Sequence, residues 1–212
     1  MDSEKTYCFW SIDLEFNNDD QRNGPYYKPE IIQVGVSVGL WPSSVILYTG
    51  AKYLRTGIPV LPRITELTGI TTENLEQEGV SHQDIFDWLS GLKEEYKPFS
   101  NPVQWGGGDT DSLKEEFRFY LGDPSTLFGR RHIDVKTIFT FLEMVQGRSP
   151  KMGLRSALGR YKMQFRGEQH RADHDAENTL QLYFKMLNIN KTIFTFLEMV
   201  QSTVLTVGRL KL

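Results

Sequence analysis

The stretch "SIDLEF", residues 11–16, decides how the rest of the chain is read. Tyr7, Cys8, Phe9 and Trp10 lead into it, so it begins as an apolar and aromatic strand. It then interleaves Asp13 and Glu15 with Ile12, Leu14 and Phe16. Side chains alternate across a strand with period two. Asp13 and Glu15 therefore share one face, and Ile12 and Leu14 take the other. Two carboxylates side by side on a half-buried strand repel each other and lose hydration. Such a pair is tolerable only with positive charge between its members.

Downstream, "NNDDQRNGPYYKP" is polar with Gly and Pro and reads as a loop. "EIIQVGVSVG" and "SVILYTGAKYL" follow as strands, and the short links suggest an antiparallel start to the sheet. "LPRITELTGITTENLEQEG" reads as two short helical turns, with Thr71 and Thr72 before Glu73 as a capping signal. "SHQDIFDWLSGLKEEY" sets Ile85, Trp88, Leu89 and Leu92 on one helical face behind an N-cap at Ser81. Short strands at "NPVQW" and "RHIDV" alternate with helices at "GGGDTDSLKEEFRFYL", "KTIFTFLEMVQ" and "GLRSALGRY". A last helix, "RADHDAENTLQLYFKML", has Ala176, Leu180, Tyr183, Phe184 and Leu187 as its inner stripe. The order predicts an α/β fold with a mixed sheet of about five strands flanked by helices.

Bulk composition sets limits on this reading. The 212 residues suit one domain with a sizeable core. A net charge of -3 gives no electrostatic footprint for tight nucleic-acid binding over a broad surface. It leaves room for an enzyme that holds nucleic acid through metal ions in one groove. Cys8, the only cysteine, suits a reducing compartment. With an N-terminus too polar for a signal peptide, the expectation is a soluble cytoplasmic protein, or a nuclear one in a eukaryote.

Further acids gather where strands end and helices begin. Asp109 and Asp111 lie where "VQWGGG" meets a helix, and Asp175 lies near the start of the last helix, with His170 five residues before it. Ligand sites in open α/β sheets form at such places. Carboxylates converging there require hard cations such as Mg²⁺ or Mn²⁺. Two ions about 3.5–4 Å apart clamp a phosphodiester for in-line displacement. His170 is suited to take a proton from the attacking water.

These motifs together resemble the DEDD 3′–5′ exonucleases of the ribonuclease H-like fold, in the branch that uses a histidine. "SIDLEF" is similar to the first motif, D-x-E, and "WGGGDTDSLKEEF" resembles the second. "HRADHDAENT" matches H-x-A-x-x-D-A through His170, Ala172, Asp175 and Ala176. The sister branch has a tyrosine four residues before the last acid, where this chain has Arg171. The resemblance spans roughly residues 6 to 189. It implies Asp13, Glu15, Asp111 and Asp175 as ligands of two Mg²⁺ or Mn²⁺ ions and His170 as general base. In the second motif, alignment on the W-G-x-x-D pattern and on Leu113 selects Asp111, with Asp109 as the alternative. The implied partner is single-stranded nucleic acid. RNA is favoured because "TELTGIT" and "GLRSALGRYKMQF" look most like the exoribonuclease branch. A DNA exonuclease of the proofreading type and a catalytically silent binding module are the alternatives.

"KTIFTFLEMVQ" occurs at 136–146 and again, letter for letter, at 191–201. In the first copy Ile138, Phe141, Leu142 and Val145 form a helical stripe suited to burial on the sheet. The second copy follows the last helix the fold requires. The expected organisation is an exonuclease domain over 1–190 and a tail over 191–212 outside the core.

Overall fold

The computed structural model describes residues 5–18, 29–122, 127–149 and 152–209, the last part, 192–209, through its backbone alone. Strand β1 (Tyr7–Asn17) is the centre of a five-stranded sheet, in spatial order β3-β2-β1-β4-β5. β2 (Glu30–Trp41) runs antiparallel beside it, and β3 (Val45–Tyr53) runs antiparallel beside β2. On the other side, β4 (Val103–Gln104) and β5 (Ile133–Asp134) add on in parallel. The α/β class and the mixed five-stranded sheet are those expected from the sequence.

The alternation of β1 divides the core. Trp10, Ile12 and Leu14 stand opposite Val38, Val36 and Val34 of β2. They pack under α3 (His82–Tyr96) and α4 (Asp109–Leu121) through Ile85, Leu89, Leu92, Leu113 and Phe117. The odd-numbered face begins with Phe9, which meets Tyr183 and Phe184 of α7 (Ala172–Arg209) edge-on. That layer also contains α5 (Val135–Val145) and α6 (Leu154–Arg160). The β1–β2 register shifts after Glu15, leaving Ile32 as the extra residue. Ile32 is buried with Val60, Ile64, Ile70 and Leu75, in the small cluster under α1 (Pro62–Thr68) and α2 (Thr72–Glu78). Capping boxes start α2 at Thr71, with Asn74 as its partner, and α3 at Ser81, with Asp84.

Two expectations change. In α5 the fully buried residues are Val135, Phe139 and Glu143, while Phe141 and Val145 are 64% and 69% exposed. The stripe is rotated because Glu143 is drawn inward by Arg148 and Arg160. The last helix, expected over 171–187, is one unbroken helix from Ala172 to Arg209. The second 11-mer thus continues α7 in backbone terms; its side chains from residue 192 on lie outside the described part. Among the described residues no helix is long and apolar enough to cross a membrane.

Candidate active site

Helix α7 reaches the acidic face of β1 because β2 lets it. Gly35 is paired with Asp13, and a Cβ there would lie 2.0 Å from the carbonyl carbon of Ala172. Only glycine permits so close an approach. Gln33, paired with Glu15, then anchors the helix, its side-chain oxygen accepting the Ala172 N–H at 3.0 Å. The interaction satisfies one of the donors a helix start leaves open. Asp175 follows in the first turn of α7, beside Asp13 and Glu15.

Before the helix, His170 adopts a left-handed backbone (φ 61°) and donates its N–H to Asp175 Oδ2 at 2.7 Å. A ring nitrogen of His170 and carboxylate oxygens of Glu15 and Asp175 all lie within 4.8 Å of one another. Glu15 is 9% exposed, whereas the imidazole faces solvent.

The remaining acid comes from the glycine turn. Gly106 (φ 93°) and Gly108 (φ 120°) use backbone conformations that disfavour side chains, so the chain can swing from β4 into α4. Gln104 secures that swing, donating to Gly106 O at 2.9 Å and accepting from Thr110 N at 3.2 Å and Thr110 Oγ1 at 2.7 Å. Asp109, the first residue of α4, is thereby held with its charge beside Asp13 and Glu15. Asp111 is not brought there. Its side chain is 64% exposed and sits 3.4 Å from Lys114 Nζ on the outer side of the helix. Two residues along a helix is about 200° of rotation, so the two aspartates cannot face the same place. Counted from Trp105, the W-G-x-x-D spacing ends on Asp109, the residue of the two that lies beside Asp13 and Glu15.

The electrostatics are those of a site short of positive charge. Burial, then Asp109, Asp175 and Glu15, push the Asp13 carboxyl well above its ordinary range. Burial, Asp175 and Asp109 push Glu15 up to about 8. Burial alone takes Asp109 to about 7. Asp175 is raised by burial, against the lowering effect of the His170 N–H and of the nearby histidines. Among the described residues no Lys or Arg pairs with any of the four. The positive ends of α4 and α7 offset part of the repulsion. Carboxylate oxygens are the donors that hard divalent cations prefer, so the four acids fit Mg²⁺ or Mn²⁺.

Sequence reasoning missed Gln33 and Gln104, which hold the starts of the helices that carry Asp175 and Asp109. Their signal is a lone amide side chain inside each of the apolar runs "IIQVGV" and "PVQW".

A family model described as exonuclease (RNase_T) matches residues 11–183. No curated protein sequence gives a significant match. Among solved structures, the nuclease domain of 3′hExo, a DEDDh family member bound to rAMP, superposes with a TM-score of 0.71 at 18% identity. That superposition covers 88% of this chain and 94% of that one. Cell-death related nuclease 4 (CRN-4) gives 0.71 at 18% identity, over 86% of this chain and 64% of that one. E. coli Exonuclease I in complex with a dT13 oligonucleotide gives 0.68 at 13% identity, over 90% and 43% respectively. These likenesses establish the fold, and the family match runs from the strand of Asp13 to the helix of Asp175. The chain belongs to the exonuclease family, in the ribonuclease H-like fold that the DEDDh 3′–5′ exonucleases share.

Proposed function

We propose that the protein hydrolyses single-stranded nucleic acid, RNA in preference to DNA, from a free 3′ end and releases nucleoside 5′-monophosphates. Asp13, Glu15, Asp109 and Asp175 hold two Mg²⁺ or Mn²⁺ ions, Asp109 standing where the sequence alignment placed Asp111. The observation that carries this reading is the convergence of four carboxylates with raised proton affinity and, among the described residues, no Lys or Arg paired with them. Bound there, the ions supply Lewis-acid stabilisation of the charge that develops on the attacking and leaving oxygens.

The chain's own residues do the rest. His170, facing solvent beside Glu15 and Asp175, takes the proton of the attacking water and passes it to bulk. A histidine on a loop, rather than in the helix, can approach the water without moving the ligands. The RNA preference draws on structural neighbours: 3′hExo was solved with rAMP, and a 3′-exonuclease with a histone mRNA stem-loop, at TM-scores of 0.71 and 0.66. Metal ions bound to S. pombe Pop2p, at a TM-score of 0.64, support the cation assignment.

The test is digestion of end-labelled single-stranded RNA and DNA of matched sequence in Mn²⁺. RNA shortened one nucleotide at a time from the 3′ end, faster than DNA, is the expected result. Cleavage of a closed circular strand would contradict the exonucleolytic reading, and faster loss of DNA would reverse the substrate preference.

A further inference from the structure

The His170 ring makes no hydrogen bond to another side chain among the described residues, and it faces solvent on a non-helical segment. What fixes it is the backbone beneath it. Asn178, one helical turn beyond Asp175 and only 2% exposed, is bound to that backbone on both sides. Its Oδ1 accepts the Arg166 N–H at 3.0 Å, and its Nδ2 donates to Arg166 O at 2.9 Å and to His174 O at 2.8 Å. His174 adds a second tie, its Nδ1 accepting the Glu168 N–H at 2.9 Å. Between these ties Gly167 passes so close to the His174 ring that a Cβ would lie 2.5 Å from Nδ1. Gly167 also has a φ of 76°, which again favours glycine. The segment leaves this clamp at Glu168 and reaches His170, whose N–H closes on Asp175.

From this we infer that Asn178, with His174 in support, is a positioning residue. It sets the 166–170 segment so that the imidazole stands over the carboxylates when water attacks. Rest of the site does not need it, since Asp13 and Glu15 are held by the sheet and Asp109 by Gln104. The inference rests on His170 being the proton acceptor. An amide that accepts the N–H and donates to the C=O of one residue fixes the two peptide groups flanking it. Alanine at 178 removes both bonds to Arg166 and loosens that end of the segment. Misplacing a reacting group by about 1 Å costs a rate factor of about 10²-fold, while substrate binding, made elsewhere, is preserved.

The experiment is a double-mutant cycle on the full chain, with steady-state digestion of 3′-labelled RNA in Mn²⁺ and a thermal melt of each variant. Asn178→Ala is expected to lower kcat by about 10- to 100-fold with KM changed by less than about threefold. In a His170→Ala background the same substitution is expected to change kcat by less than about twofold, because the group it positions is gone. An equal loss in both backgrounds would show a general structural role and overturn the inference, as would full activity in Asn178→Ala. Should Asn178→Ala fail to melt cooperatively, His174→Ala, at a partly exposed position, carries the same cycle. If His170→Ala itself retains wild-type kcat, the assignment of the base has failed, and the positioning role falls with it.

Discussion

Glu143 and the ring of acids around Asp13 are two buried carboxylate sites on the same side of one sheet, and their surroundings shift proton affinity in opposite directions. Glu143, fully buried, is bonded to Arg148 and lies 3.0 Å from the Arg160 guanidinium. The Arg148 hydrogen bond, with both guanidinium charges, holds its carboxyl below the ordinary range. Around Asp13 four carboxylates gather with no guanidinium among the described residues, and every one of them is raised. Burial is common to both places and opposes the charged form in both. What differs is who brings the cation. At Glu143 the fold provides its own arginines; around Asp13 none is provided among the described residues, which is the pattern the proposed cation would complete.

The contrast breaks most sharply at the second motif. Asp109→Asn should remove nearly all hydrolysis, whereas Asp111→Asn should stay within about twofold of the parent, as surface substitutions usually do. Rates on labelled RNA in Mg²⁺ decide it, and the reverse pattern would restore Asp111 to the site. Next in size is the base. His170→Ala should cut kcat by about two to four orders of magnitude and flatten the acidic limb of the pH–rate profile, with RNA binding retained. Equal loss in His174→Ala with full activity in His170→Ala would name the wrong histidine.

Glu143 should behave as stability alone. Its folded pKa is depressed, so its contribution is present above the unfolded value near 4.5 and is lost as pH falls through the folded one. Glu143→Gln should cost about 1–3 kcal/mol at pH 7 and progressively less as pH falls below about 4.5, read from urea unfolding, with kcat unchanged in the folded fraction. A cost that does not change with pH would assign it to packing rather than charge. Smallest of all is the tail. Truncation after Asn190 should leave activity within a few-fold, because every proposed site residue and the described core precede the cut. An inactive or unfolded truncated chain would make 191–212 part of the domain.

Asp13 and Glu15 were legible because a strand's alternation is local and rigid, and His170 with Asp175 because their spacing crosses only a loop and one helical turn. Asp109 against Asp111 was harder. Both fit a helix start, and only the helix rotation fixed by Gln104 and Thr110 shows which one turns inward. In α5 the apolar pattern offered a tidy stripe through Phe141 and Val145, and the polar Glu143 concealed the buried one. Its arginines come from Arg148 and Arg160, the latter on the next helix, which no reading of the 11-mer contains. Asn178 and Gln33 were unreadable for a related reason: an amide acquires its role from the peptide group it meets, and that is set by tertiary contact.

The central claim, that the four acids await a cation from outside, is tested most directly by thermal melts with and without Mn²⁺ from pH 5 to pH 8. The raised groups bind more protons folded than unfolded over this range, so metal-free stability should fall as pH rises through about 7 for Asp109 and about 8 for Glu15. Mn²⁺ should recover that loss, with a shift in Tm that grows with pH. At a hundredfold excess over Kd the gain is about 2.7 kcal/mol, or about 5–10 °C for a chain of this size. Asp13→Asn should melt higher than the parent without metal at pH 8 and gain little from Mn²⁺. A parent Tm that ignores both pH and Mn²⁺, or a variant that gains as much from Mn²⁺ as the parent, would contradict the account.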